Sequence, residues 1–180
     1  MRKKHTVNER TNASVGLQYC AKELFTSKFT QQPRLGMTTI DSMFELAIDL
    51  RNRGELRDSI NVLSKILTEY SVNEKTHRIY SVLGGIQADL GENEKALISF
   101  KKATELNPRS ELASLGLYVT LAQLDKDEEA IQELIRYLKS YPADSYKVSL
   151  EELLEGLEKG YMTDYEDEIR NLAKLNGVGI

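Results

Sequence analysis

Residues 77–108, HRIYSVLGGIQADLGENEKALISFKKATELNP, contain two runs of apolar residues at helical spacing, separated by a turn. Spacings of three and four residues are typical of amphipathic helices. Gly91 can end the first helix, Asn93 can cap the second, and Pro108 ends the pair. The stretch therefore predicts a helix–turn–helix unit. Its apolar positions are Ile79, Leu83, Ile86, Leu90, Ala96, Ile98, Phe100, Ala103 and Leu106.

This unit resembles the tetratricopeptide repeat, which has a period of 34 residues and a fixed order of large and small residues. The matching positions are Tyr80, Leu83, Gly84, Ala96, Phe100, Ala103 and Pro108. Gln87 stands where the family usually has an aromatic residue. The resemblance implies that the small residues let the helices approach closely, while Leu83 and Phe100 fill the space between them.

Weaker copies of the pattern lie on both sides of residues 77–110. The first covers about residues 40–73 and the third about 111–144, in which Ser114 replaces the usual aromatic residue. The matching positions are Met43, Leu46, Ala47, Ser59, Leu63 and Ile66 in the first copy, and Leu117, Tyr118, Ala130, Leu134, Tyr137 and Pro142 in the third. The chain thus looks like a small bacterial-type tetratricopeptide protein, which implies an all-α, right-handed superhelix of three repeats.

Two further helices, at about 149–159 and 163–175, are predicted to form a C-terminal helical cap. Ser149 and Glu152 are spaced as a capping box. The outer faces of both helices are rich in Glu and Asp, which suits the solvent-exposed end of a solenoid. Residues 37–180 are therefore predicted to form one tetratricopeptide-like domain.

Residues 1–36 are predicted to be an N-terminal tail outside this domain. Residues 1–12 lack apolar periodicity, which predicts disorder. Residues 13–29 predict an amphipathic helix, and Pro33 and Gly36 mark the linker that follows it. The stripe of that helix consists of Leu17, Cys20, Ala21, Leu24 and Lys28.

The composition is that of an ordinary globular protein, with 41% hydrophobic and 29% charged residues. A net charge of −4 argues against a general nucleic-acid binder. No apolar run is long enough to span a membrane. Cys20 is the one cysteine and cannot form an internal disulfide, which favours a reducing compartment. We therefore expect a cytoplasmic protein that contacts neither nucleic acid nor membrane.

Charge is distributed unevenly along the chain. Residues 1–37 contain seven Lys/Arg and two Asp/Glu, whereas residues 143–180 contain four Lys/Arg and nine Asp/Glu. The two ends thus carry +5 and −5. This asymmetry can steer a charged partner, but it is equally typical of solvated ends on a solenoid.

The sequence provides little for catalysis, metal binding or a cofactor, so we expect no enzyme. His5 and His77 have no Cys or His partner at ligand spacing, and Cys20 lies on an apolar stripe that favours packing over nucleophilic chemistry. The acidic run 164–168 lacks the alternating ligands of a calcium loop. Gly84 and Gly85 lie within a predicted helix, so they do not indicate a phosphate-binding loop.

In tetratricopeptide repeats the first helix of each pair lines a concave groove that usually holds the ligand. The resemblance places ten residues of this chain in that surface, called the groove below: Phe44, Ile48, Arg51, Arg78, Ser81, Gly85, Ala88, Leu115, Val119 and Ala122. The surface is apolar, with small residues in the middle repeat. Such a surface fits an amphipathic helix.

The resemblance also implies what the groove does not bind. Members that grip the C-terminal carboxylate of heat-shock chaperones carry Lys, Asn and Arg at positions that are here Phe44, Ile48, Val82, Leu112 and Gly116. The basic clamp is therefore absent.

Two occupants of the groove remain open: a segment of another protein, or residues 13–29 of the chain itself. The expected function is non-catalytic protein–protein binding. Its narrower alternatives are an immunity protein that blocks a toxin and a chaperone for a secreted protein. A homo-oligomer is also compatible with the sequence.

Overall fold

The structure is a computed structural model that describes residues 39–71 and 74–179. The predicted helix at 13–29 and its linker lie outside the described residues. The described part consists of helices without strands. The helices are α1 (Thr39–Asn52), α2 (Leu56–Glu69), α3 (Thr76–Asp89), α4 (Asn93–Leu106), α5 (Glu111–Gln123), α6 (Asp127–Leu138), α7 (Lys147–Glu158) and α8 (Glu166–Leu175).

The helices pack in sequence order as helix–turn–helix pairs. α1 packs on α2, α3 on α4, and α5 on α6, while α2–α3, α4–α5 and α3–α5 contacts join one pair to the next. α7 packs on α8, and α8 also contacts α6. The all-α superhelix of tetratricopeptide-like repeats with a C-terminal helical cap is therefore confirmed.

The turn within each pair contains a residue in the left-handed backbone conformation. Gly54 and Gly91 have φ values of +81° and +73°, and Asp125 takes the equivalent position with φ +57°. Glycine adopts this conformation without strain, and Asp is among the few other residues that visit it routinely. The third turn therefore keeps the geometry of the others without a glycine.

Two predicted helix caps are wrong. Asn93 is the first residue of α4 rather than its cap, and Glu92 precedes the helix without a side-chain cap bond. Ser149 lies inside the first turn of α7, which begins at Lys147. Its hydroxyl is hydrogen-bonded to Tyr118 instead. The Ser149 hydroxyl thus bonds to a side chain of another helix instead of capping the start of α7.

The apolar stripe predicted for α4 is also partly wrong. Ile98 is 65% exposed and Leu106 is 43% exposed. The buried face of α4 instead consists of Ala96, Ser99, Phe100 and Ala103. These four residues follow the i, i+3, i+4, i+7 spacing of one helix face, which Ile98 does not share.

Phe100 lies at the centre of the array, against helices of two repeats. A Cβ atom added at Gly84 on α3 would lie 3.0 Å from the Phe100 ring, and one added at Gly116 on α5 would lie 2.2 Å from it. Contacts below 3.0 Å force the neighbouring atoms to move. The ring therefore requires glycine at position 116 and leaves little room for a side chain at position 84, although only Gly84 belongs to the repeat pattern.

The other residues of the pattern surround this contact or mark helix ends. Leu83, Ala96, Ala103 and Ala130 are buried, and Tyr80 is partly buried. Pro108 and Pro142 are exposed in the connections after α4 and α6.

Candidate partner-binding surface

The groove residues of the first repeat meet those of the second at both ends of α1 and α3. The Arg78 guanidinium lies over the Phe44 ring, 5.4 Å from its centroid. At the other end, the Arg51 guanidinium is 3.6 Å from the Asp89 carboxylate. Three predicted groove positions and Asp89 are thus brought together in two pairs across the α1–α3 boundary.

Arg51 is a cation in a largely apolar environment. The residue is 8% exposed, and its neighbours Ile48 and Leu50 on α1 are buried as well. Burial lowers the pKa of the Arg51 guanidinium, while Asp89 acts in the opposite direction. A buried charge is tolerated when it is paired, so Asp89 helps to keep Arg51 at the end of the groove.

The middle of α3 presents no unsatisfied polar side chain. The Ser81 hydroxyl donates to the His77 carbonyl oxygen of the same helix at 2.9 Å. Gly85 follows one turn later, and Ala88 is partly buried. Small residues along one helix face let another backbone approach closely, so this part of the surface suits a packed helix.

α5 forms the third part of the groove and is buried on all faces. Every residue from Ala113 to Leu121 is buried, including Leu115 at 4% and Val119 at 6% exposure. Leu112 and Ala122, at the two ends of the same helix, pack against the core while partly exposed. A helix that is apolar all round is typical of an interior position.

Most of the predicted groove positions are therefore buried. Arg78 is exposed, and Ala88 and Ala122 are partly buried. The remaining seven are buried: Phe44, Ile48, Arg51, Ser81, Gly85, Leu115 and Val119. These side chains were expected to line an apolar groove whose occupant was left open, and in the structure they are shielded from water.

A buried polar cluster that the sequence did not predict links α5, α6 and the turn before α7. Ser114 on α5 donates a 2.6 Å hydrogen bond to the Glu133 carboxylate of α6 and lies 2.7 Å from the Tyr146 hydroxyl. Arg136 binds both oxygens of Glu133 at 2.7 Å. Tyr146 belongs to a 3₁₀ turn, Asp144–Tyr146, just before α7. The cluster thus joins the third repeat to the C-terminal cap.

Tyr146 supplies the aromatic ring that Ser114 lacks. It is fully buried and stacks on Tyr137 with ring centroids 5.6 Å apart. Tyr118 packs at an angle on the same ring, 6.0 Å away. Two features of the sequence could have indicated this replacement. Ser114 stands where the repeat usually has an aromatic residue, and Tyr146 lies just before a predicted capping helix.

The cluster is stabilising rather than reactive. Glu133 is paired by Arg136, and this pairing raises the pKa of the guanidinium. Burial raises the pKa of the Tyr146 hydroxyl well above its ordinary value. A carboxylate held by two guanidinium bonds and a serine is not free to act as a general base.

Two features that the described residues lack bear on function. Among residues 39–71 and 74–179 there is no group of three His, Cys, Asp or Glu side chains that could hold a metal ion. In the same part of the chain, no helix has the length and apolar character needed to cross a membrane.

Comparison with known proteins supports the repeat itself. Residues 77–110 match the family model described as tetratricopeptide repeat. The chain is also 29% identical, over 146 residues, to "Protein CTR9 homolog" of Arabidopsis thaliana, an alignment that covers 71% of this chain and 13% of that protein. The chain therefore spans a small part of the relative's length. No solved structure matches. A tetratricopeptide repeat is thus found at residues 77–110, and repeats of this family are typically non-catalytic modules for protein–protein interaction.

Proposed function

We propose that this protein binds a helical segment of a partner protein in the groove formed by α1, α3 and α5. The observation that carries the proposal is the pairing of small and large apolar residues on these helices. Small residues lie at the groove positions of α3, namely Ser81, Gly85 and Ala88, while Phe44 and Leu115 lie on the neighbouring helices. An amphipathic helix with apolar residues at i, i+3, i+4 and i+7 matches such a surface.

Charged residues at the groove edge favour a particular polarity in the partner. Arg78 is exposed while its guanidinium lies over Phe44. A carboxylate on the bound segment could pair with Arg78 at the start of α3, next to the apolar contact. We therefore propose that the preferred segment has an acidic residue beside its apolar stripe.

The chaperone and immunity roles differ only in which protein contains the bound segment. A chaperone would hold an apolar segment of a secreted protein, and an immunity protein would hold a segment of a toxin. Both would use the same groove, so the identity of the bound segment separates them.

Gly85→Leu tests the proposed site. The added side chain should occupy the space of the bound helix and weaken binding by about 30-fold or more, since one hot-spot contact can carry about 2 kcal/mol or more. A helical peptide selected from a displayed library against the full chain serves as the probe, and its affinity is measured by fluorescence anisotropy.

Gly156→Leu is the matched control, because Gly156 is also inside a helix but lies on the C-terminal cap. A Cβ atom there meets only the Tyr161 Cβ atom, at 4.0 Å. This variant should bind the peptide with unchanged affinity. Equal affinity of the folded Gly85→Leu variant would place the peptide elsewhere and reject the groove as the site.

A further inference from the structure

The end of α8 carries an asparagine followed by a glycine, Asn176-Gly177. Glycine has no side chain to shield its amide nitrogen, so this nitrogen can attack the side-chain carbonyl carbon of the asparagine before it. Every other asparagine in the chain precedes a larger residue. In the unfolded chain, Asn176 is therefore the asparagine most prone to lose its side-chain amide.

In the folded protein the Asn176 side chain is held in place. The residue is 9% exposed. Its Nδ2 atom donates to the Leu172 carbonyl oxygen at 2.8 Å, and its Oδ1 atom accepts from the Ala143 backbone N–H at 3.1 Å. Ala143 directly precedes the 3₁₀ turn that leads into α7. The side chain thus joins the end of α8 to the connection after the third repeat, and the carbon that would be attacked is fixed between two hydrogen bonds.

The attacking nitrogen is held as well. Gly177 has a φ of +68°, and its N–H donates to the Lys174 carbonyl oxygen at 3.2 Å. The Val178 N–H donates to the Ala173 carbonyl oxygen at 2.8 Å. These two bonds form a Schellman motif, with Val178 buried behind it. Both groups of the reaction are therefore fixed while the C-terminal cap is closed.

We propose that Asn176 is a deamidation site that the closed cap protects and that local opening of the cap exposes. In the open state a base removes the Gly177 amide proton, and the nitrogen forms a bond to Cγ of Asn176. The Cγ–Nδ2 bond breaks, and Nδ2 takes up a proton and leaves as ammonia. Water then opens the cyclic imide at either of its carbonyl carbons, which leaves aspartate or isoaspartate. The reaction consumes one water and involves no redox step.

Neither product can restore the closed arrangement. A carboxylate has no N–H for the Leu172 carbonyl oxygen, and it places a charge in a buried position. Isoaspartate also inserts a carbon into the backbone, which displaces Gly177 and Val178 from their hydrogen bonds. Deamidation should therefore make the cap open more often, and the change persists because ammonia is lost.

The rate of deamidation in the full-length protein tests the protection. The protein is incubated at mildly alkaline pH, under native conditions and in guanidinium chloride. Cleavage after Lys174 releases residues 175–180, and chromatography with mass spectrometry separates the asparagine, aspartate and isoaspartate forms of this peptide. The native reaction should be about 100-fold slower or more, since it proceeds only through open molecules.

Two substitutions test whether opening of the cap limits the reaction. Tyr146→Ala removes a buried ring beside α7 and should accelerate the native reaction by about 10-fold or more. Tyr146→Phe, a milder change for the case that Tyr146→Ala does not fold, should accelerate it about 5-fold. Leu63→Ala, at a fully buried position of the first repeat, is the control and should change the rate by less than about 2-fold. All rates in guanidinium chloride should be equal.

Asn176→Asp tests the effect of the product. The amide hydrogen of Val178 should exchange about 10-fold faster in this variant, because one buried hydrogen bond is replaced by an unfavourable contact. Asn171→Asp adds the same charge at an exposed position of α8 and should leave the exchange of Val178 unchanged.

Three results would overturn the inference. Equal rates in native and unfolded protein would show that the cap does not protect Asn176. Equal acceleration by Leu63→Ala and Tyr146→Ala would assign the reaction to unfolding of the whole array rather than to opening of the cap. Equal exchange of Val178 in Asn176→Asp and Asn171→Asp would show that the product restores the closed cap.

Discussion

Gly116→Ala should destabilise the protein by about 3 kcal/mol, at the upper end of what overpacking a core usually costs. The new methyl group would lie 2.2 Å from a ring atom of Phe100. The ring has little room to move towards α3, because even a Cβ atom added at Gly84 would lie only 3.0 Å from it. The clash outweighs the gain in helix propensity, which is about 1 kcal/mol. Urea denaturation followed by circular dichroism measures the change in unfolding free energy.

Two controls separate the clash from a general effect of alanine. Gly156→Ala adds the same methyl group within α7, where the nearest side-chain atom is 4.0 Å away. It should stabilise the protein by about 0.5–1 kcal/mol. Phe100→Leu should remove part of the penalty of Gly116→Ala, so that the two changes couple by about 1–3 kcal/mol in a double-mutant cycle. Additive effects would mean that Gly116 does not act through Phe100.

Tyr146→Ala should cost about 4 kcal/mol, because it removes a fully buried aromatic side chain. The ring stacks on Tyr137, and the hydroxyl lies 2.7 Å from Ser114, which also binds Glu133. Loss of the ring leaves a cavity between the third repeat and α7. Tyr146→Phe keeps the ring and should cost only about 1–2 kcal/mol, the usual effect of losing one buried hydrogen bond.

Tyr141→Ala is the control for this prediction, since Tyr141 lies in the same connection but is only partly buried. It contacts Tyr137 at 5.4 Å between ring centroids and lies near Arg109. We expect its removal to cost less than about 2 kcal/mol. Equal losses for Tyr141→Ala and Tyr146→Ala would contradict the view that Tyr146 anchors the C-terminal cap.

The architecture was predictable because its determinants are local and periodic. Gly91, Phe100 and Ala103 recur at spacings that specify a helix pair, and the period of 34 residues extends the pattern to its neighbours. The turn at Asp125 follows the same geometry without a glycine. These features depend on residues close together in the chain, so one sequence is sufficient to find them.

The errors arise where distant residues decide the outcome. Ser149 looks like a helix cap in sequence, but Tyr118, about one repeat away, takes its hydroxyl. Tyr146 replaces the aromatic residue missing at position 114 across a separation that no local pattern reveals. Gly116 has no place in the repeat pattern, and its role follows only from where the Phe100 ring lies.

The groove, too, was predictable where local spacing decides and not where distant residues decide. The repeat pattern indicates which helices line the groove, and contacts between Phe44 and Arg78 and between Arg51 and Asp89 join two of those helices. The burial of Leu115 and Val119 was not predicted. It depends on what covers α5, and residue spacing within one repeat carries no information about that.

The most direct test of groove binding is a methyl-labelled NMR titration of the full chain with the selected helical peptide. We expect the largest shift changes at Ile48, Leu115 and Val119, with none at Ile98 or Leu175, which are exposed on α4 and α8. Shifts confined to Ile98, Leu175 and their neighbours, with Leu115 and Val119 unmoved at saturation, would contradict partner binding in the groove.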